Sequence, residues 1–130
     1  MPSILLIEDI SDNAVLVKKA LGSQGLDVVW VDTAEAGLQQ ARAQKPSLIL
    51  LDLGLPDMDG QTLVSYLRKE PDLRDVPIIV VTAWPEETAR QMVDAYGCDA
   101  FIGKPLNIRK FIQTVNHFLN RGQGHEPLFE

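Results

Sequence analysis

The stretch Leu48-Ile49-Leu50-Leu51-Asp52-Leu53-Gly54-Leu55-Pro56-Asp57-Met58-Asp59-Gly60 decides how the chain is read. Its opening run, Leu48–Leu51, is apolar without interruption. A strand wetted on one face would alternate apolar with polar residues; unbroken apolarity predicts a strand covered on both faces, as in a parallel sheet. The run stops at a carboxylate, Asp52. Turn-favouring residues follow, with Asp57 and Asp59 read as turn and cap residues of the loop into a helix and Gly60 as a backbone requirement.

The same kind of run recurs on either side, at Ile4–Ile7, Val28–Val31 and Ile78–Val81, with a weaker one at Ala100–Ile102. Helical periodicity fills the intervals. Ala14, Val17, Ala20 and Leu21 share a face of a first helix. Asp32 and Glu35 have capping-box spacing before a second helix carrying Ala36 and Leu38. Leu63, Tyr66 and Leu67 mark a third, and Met92, Val93 and Tyr96 a fourth that Gly97 ends. Ile108, Phe111, Ile112, Val115, Phe118 and Leu119 give the last helix the clearest stripe. Strand–helix repetition of this kind predicts an α/β domain: a five-stranded parallel sheet with helices on both faces, flavodoxin-like, in strand order 2-1-3-4-5.

Composition bounds what such a domain can do. At 130 residues and 45% hydrophobic, the chain fits one core-forming domain. We place that domain at residues 1–121 and read residues 122–130, with Gly122, Gly124 and Pro127, as a flexible C-terminal tail too short for an effector domain. A net charge of -6 with no Lys/Arg block argues against direct nucleic-acid binding. The lone Cys98 precludes an intrachain disulfide and suits a reducing cytoplasm. Ile4–Ile7 is too short for a signal-peptide core, and no run approaches a membrane span. The expected location is the cytoplasm.

In an open parallel sheet, ligands bind outside the carboxyl ends of the strands. Strand one ends at Glu8 and Asp9, strand three at Asp52, and strand four at Thr82 and Ala83; strand five leads to Lys104 and Pro105. Three carboxylates, a hydroxyl and an ammonium are therefore expected in one crevice. Carboxylates so crowded require protonation or a cation, and Lys104 offsets one charge only. An oxygen-only donor set suits Mg²⁺, with Mn²⁺ able to substitute, and the absence of Cys and His disfavours zinc. A carboxylate beside such an ion can attack phosphorus. Asp52, on the central strand, is the best nucleophile candidate. Lys104 and Thr82 are placed to contact the phosphoryl oxygens, and the small Ala83 leaves the approach open.

These residues spell a family pattern. Glu8–Asp9, Asp52 within Leu51–Gly60, Thr82–Ala83, and Phe101-Ile102-Gly103-Lys104-Pro105 resemble the receiver domain of two-component response regulators, over about residues 3 to 121. The length is similar to that of stand-alone receivers. The resemblance implies that Asp52 accepts a phosphoryl group from a histidine kinase or histidine phosphotransfer protein. It further implies Mg²⁺ held by Asp9, Asp52 and the backbone carbonyl of Gly54, with Glu8 acting mainly through metal-bound water. Thr82 and Phe101 would be the switch pair, Lys104 would bind phosphoryl oxygens, and the Lys104–Pro105 bond would be cis. Output would act in trans on a protein partner.

Three departures stand out. Glu8 occupies a position where aspartate is common, Phe101 one where tyrosine is frequent, and Trp84–Pro85 follows Thr82–Ala83. In the family, the positions of Gly54 and Trp84 tune the lifetime of the acyl phosphate; Trp84 is expected to shield the phosphoryl group or to meet a partner. Rival readings fit less well. A haloacid-type phosphatase would need an acid where Gly54 stands. A flavin or nucleotide binder would need a glycine- or hydroxyl-rich loop where Glu8 and Asp9 stand. A degenerate receiver would lack part of the set formed by Asp9, Asp52, Thr82 and Lys104. Trp30 and Tyr66 read as packing, Cys98 as structural and His117 as solvated. Met92 and Tyr96 read equally as core or as a binding face.

Overall fold

Val, Ile and Leu dominate the segments that become strands because their side chains fill a pleated surface packed on both sides. The computed structural model describes residues 3–121. In chain order the elements are β1 (Ser3–Ile7), α1 (Ser11–Gly22), β2 (Asp27–Val31), α2 (Ala34–Ala43), β3 (Leu48–Asp52), α3 (Gly60–Lys69), a 3-10 turn at Pro71–Leu73, β4 (Ile78–Thr82), α4 (Glu86–Tyr96), β5 (Ala100–Gly103) and α5 (Ile108–Arg121). The strands form one five-stranded sheet in the order β2-β1-β3-β4-β5, all pairs parallel. This is the flavodoxin-like order expected from the sequence. The tail expected at residues 122–130, with His125, lies outside the described residues.

Each central strand divides its side chains between two cores. Ile4 and Leu6 of β1, Leu48 and Leu50 of β3, and Ile79 and Val81 of β4 face α1 and α5. Leu5 and Ile7, Ile49 and Leu51, and Ile78 face α2 and α3. The period of two is the strand pleat itself. All five residues of β3 and all five of β4 are buried, which is why their sequences show no polar alternation.

The helices seat most of the apolar residues that the periodicity picks out, but Ile108 at the start of α5 is 36% exposed and Ala36 of α2 is half-buried outside the core clusters. Three further readings are corrected. The α2 cap is Thr33, whose Oγ1 accepts the Ala36 N–H at 3.1 Å; Asp32 is exposed and forms no capping box with Glu35. On α3, Val64 is buried with Leu63 and Leu67, whereas Tyr66 is 43% exposed under Lys69. Tyr66 lies one position off the buried stripe. His117 is half-buried, its ring edge-on to Phe118 at 4.9 Å, rather than solvated. Gly97 does end α4, at φ 80, a left-handed conformation that glycine adopts without penalty. Met92 is buried and Tyr96 half-buried against the core.

The amino ends of the strands are locked by Arg68 near the end of α3. Its guanidinium donates to the carbonyls of Leu73, Val76 and Gly97 and pairs with Asp99 at 2.9 Å. Asp99 in turn accepts the Ile78 N–H at 2.8 Å. No described helix is long and apolar enough to cross a membrane.

Phe111 is 0% exposed between α5 and the sheet. Phe111→Ala is expected to lower unfolding free energy by about 3–5 kcal/mol in urea titrations monitored by circular dichroism.

Candidate functional site

The carboxyl rim collects its residues because parallel strands all end on the same side. Glu8 and Asp9 follow β1, Asp52 is the last residue of β3, Thr82 the last of β4, and Lys104 follows β5. Their relative positions are fixed by the register, which sets Ile7 beside Leu51, Asp52 beside Val81 and Thr82 beside Gly103.

Oxygen atoms of Glu8, Asp9 and Asp52 lie within 4.8 Å of one another. Lys104 Nζ sits 3.4 Å from Glu8 Oε1 and 3.6 Å from Asp52 Oδ2. Three carboxylates thus gather beside one ammonium, which pairs with two of them, Glu8 and Asp52. Their environments differ: Glu8 is 3% exposed and Asp52 8%, whereas Asp9 is exposed to solvent. Glu8 is thus the most buried acid of the cluster.

The Glu8 carboxyl is raised from 4.5 to about 7, with burial the largest cause. The hydrogen bond and charge of Asp52 push in the same direction. The Ile10 N–H, donating to Glu8 Oε2 at 3.2 Å, and the Lys104 ammonium oppose them without prevailing. A buried acid held near neutrality beside two more carboxylates is a site with a charge deficit. The donor set is all oxygen, without histidine or cysteine, and could coordinate a divalent cation such as a hard ion prefers.

The remaining expected residues are close by with distinct surroundings. Gly54 N–H donates to Asp52 Oδ1 at 3.2 Å, fixing that carboxylate. A side chain at Gly54 would meet nothing but the Asp52 oxygens, at 3.9 and 4.0 Å, so the approach to Asp52 is open on that side. Thr82 is buried, and its Oγ1 accepts the Trp84 N–H at 3.0 Å. Trp84 itself is 47% exposed. The Lys104–Pro105 peptide is cis, as the resemblance implies. The Lys104 N–H donates to the Thr82 carbonyl at 2.8 Å, anchoring the lysine's backbone to β4. Phe101 stands apart from the acids. It is half-buried in a small cluster with Leu53, Val80 and Met92, joining the residue after Asp52 to α4.

Two residues near the site escape sequence reasoning. Trp30 on β2 donates its indole N–H to the Glu8 carbonyl at 2.7 Å. Asp57, in the loop after Asp52, accepts from Ala34 N and Glu35 N at 3.0 and 3.1 Å, at the start of α2. Those two bonds hold the Asp57 carboxyl below its usual range. A half-buried tryptophan needs a partner for its N–H, and that need was the available signal for Trp30. For Asp57 no local signal exists, since its partners are more than twenty positions away in sequence.

Comparison with known proteins agrees with this geometry. The response regulator receiver domain family matches residues 4–116. The polar-differentiation response regulator DivK of Brucella anthropi is 30% identical over 117 residues, covering 90% of this chain and 95% of its own. The crystal structure of a response regulator from Chloroflexus aurantiacus superposes with a TM-score of 0.88 at 26% identity, covering 93% of this chain and 100% of its own. The receiver domain of a Pseudomonas aeruginosa sensor histidine kinase gives a TM-score of 0.82 at 28% identity, covering 95% of this chain and 98% of its own; that structure has a magnesium ion coordinated in its active-site cleft.

The raised Glu8 carboxyl predicts a pH dependence of stability. Between about 4.5 and about 7 the folded chain retains a proton that the unfolded chain has released, so stability falls as pH rises through that window. Thermal unfolding in chelator at pH 5 and pH 8 is expected to show this loss. Glu8→Gln is expected to flatten it, and a divalent cation at pH 8 to offset it in the wild type. An unchanged pH slope in Glu8→Gln would contradict the assignment.

Proposed function

Because the chain belongs to the response regulator receiver domain family, we propose that it is a Mg²⁺-dependent phosphoacceptor. Its nucleophile is Asp52, and phosphorylation switches a protein-binding surface. The observation that carries the reading is the convergence of Glu8, Asp9 and Asp52 within 4.8 Å of one another, with the Lys104 ammonium paired to Glu8 and Asp52. Asp9, Asp52 and the Gly54 carbonyl would hold Mg²⁺, or Mn²⁺ in its place, with Glu8 reaching it through water. When bound, the ion neutralises charge on the carboxylates and on incoming phosphoryl oxygens.

The protein's own groups supply the rest. An Asp52 oxygen gives its electron pair to phosphorus, the P–N bond of a phosphohistidine donor breaks, and the imidazole leaves. Lys104 turns its ammonium from Glu8 and Asp52 to the phosphoryl oxygens. Thr82 Oγ1 accepts the Trp84 N–H with a lone pair, which leaves its own proton to donate to the phosphoryl group. A hydroxyl drawn toward Asp52 changes the space beside β4 and β5. Phe101 packs on Leu53 and Met92, so its repacking reaches α4 and the surface of α4, β5 and α5. The donor is a histidine kinase or histidine phosphotransfer protein, and the output is a protein partner engaged in trans, in the cytoplasm. The chemistry is acceptance of phosphate and its slow loss rather than turnover of a free substrate.

Incubation with Mg²⁺ and a small acyl-phosphate or phosphoramidate donor, followed by intact mass measurement, tests the reading. One added phosphoryl group is expected, absent in Asp52→Asn and absent in chelator. Modification that persists in Asp52→Asn rules out the assigned nucleophile. The half-exposed Trp84 ring, tethered through its backbone to Thr82, is proposed to shield the acyl phosphate from water. Trp84→Ala is expected to speed dephosphorylation several-fold, and an unchanged rate removes the shielding role.

A further inference from the structure

The β2–α2 unit contributes no side chain to the acidic cluster, yet both segments that carry the cluster are fastened to it. Both backbone polar groups of Glu8 are taken by β2. Its N–H donates to the Val31 carbonyl at 3.0 Å, and its carbonyl accepts the Trp30 indole N–H at 2.7 Å. The first bond continues the parallel ladder one residue past β1. The second is made by a side chain that no ladder requires. On the other side, the loop that leaves Asp52 is tied to the start of α2 through the Asp57 carboxylate and the N–H groups of Ala34 and Glu35.

We propose that Trp30 and Asp57 are positioning residues for the divalent cation: from β2 and α2 they hold the two backbone segments that present Glu8–Asp9 and Asp52–Gly54. The inference rests on the reading of the acidic cluster as a cation site. The physical reason is geometric. Mg²⁺ tolerates little departure from octahedral coordination, so its ligands must be placed before it arrives. Glu8, Asp9 and Gly54 all lie beyond the last paired residues of their strands; Glu8 keeps one ladder-type bond, from its N–H to the Val31 carbonyl, and beyond it the ladder gives Asp9 and Gly54 no register partner. Trp30 brings an indole whose body is half-buried against the α1–α5 core, so its N–H is held in one place. Asp57 completes the helix N-terminus that Thr33 caps from its own chain segment. A carboxylate there is also favoured by the helix dipole. Groups that orient ligands from behind in this way commonly govern metal affinity.

The pair Asp57 and Thr33 separates positioning from plain stability. Both accept hydrogen bonds from the first turn of α2, but only Asp57 belongs to the loop of the site. Isothermal titration of the full chain with MgCl₂, alongside thermal unfolding in chelator, compares wild type with Trp30→Phe, Asp57→Ala, Thr33→Ala and Asp9→Asn. Trp30→Phe and Asp57→Ala are expected to weaken Mg²⁺ binding by roughly 3- to 10-fold, the loss of about one hydrogen-bonded support each. Thr33→Ala is expected to lower the melting temperature about as much as Asp57→Ala while leaving Mg²⁺ affinity at the wild-type value. Should Trp30→Phe fail to fold, the isostere 3-benzothienylalanine at position 30, which keeps the ring shape and lacks the N–H, takes its place. Wild-type affinity in the Trp30 and Asp57 variants, or equal weakening in Thr33→Ala, overturns the inference. Wild-type protein that takes up no Mg²⁺, or Asp9→Asn that binds as wild type does, instead overturns the functional reading and this inference with it.

Discussion

Three carboxylates held at one rim of a sheet against one ammonium set the terms for the rest of the molecule. Oxygens of Glu8, Asp9 and Asp52 approach within 4.8 Å, and Lys104 stands between Glu8 and Asp52. Charges that close, with two of the acids nearly buried, repel strongly because little water screens them. Burial first, and the neighbouring Asp52 second, raise the Glu8 carboxyl to about 7. Such a cluster survives only in a fold stable enough to bear it and rigid enough to keep its members from moving apart.

That rigidity comes from the two cores. β3 and β4 are buried along their whole length, and Asp52 and Thr82 are their last residues. The polar atoms of the site are extensions of the most enclosed part of the sheet. At the far rim, Arg68 and Asp99 tie α3 to the starts of β4 and β5, leaving those strands little freedom to slide. The site and its support therefore occupy opposite ends of the same strands.

Loops past the strand ends need separate support, and it comes from unlike sources. Gly54 and Thr82 are held by local bonds, from Gly54 N–H to Asp52 and from Trp84 N–H to Thr82. Lys104 is held by its backbone bond to the Thr82 carbonyl. Glu8 and the Asp57 loop are held at a distance, by β2 and α2. Phe101 meets Leu53 and Met92 instead of the acids, so the path from Asp52 to α4 runs through packing rather than through charge. The proposed switch follows that path.

The sequence by itself determined the element order, the parallel sheet and the rim on which Glu8, Asp9, Asp52, Thr82 and Lys104 gather. Those follow from local periodicity and from the rule that parallel strands end on one side. Helix caps were less legible: Asp32 and Thr33 are adjacent and chemically alike, and backbone conformation alone chose Thr33. Tyr66 and His117 were misplaced because a shift of one helical position turns a side chain by about 100°, enough to move it across a boundary that sequence draws only approximately. Only the tertiary structure decided that Glu8 is the most buried acid, that Trp30 grips its carbonyl, and that Asp57 serves α2. Each depends on contacts between residues more than twenty positions apart, and such contacts exist only once the strands have paired in register.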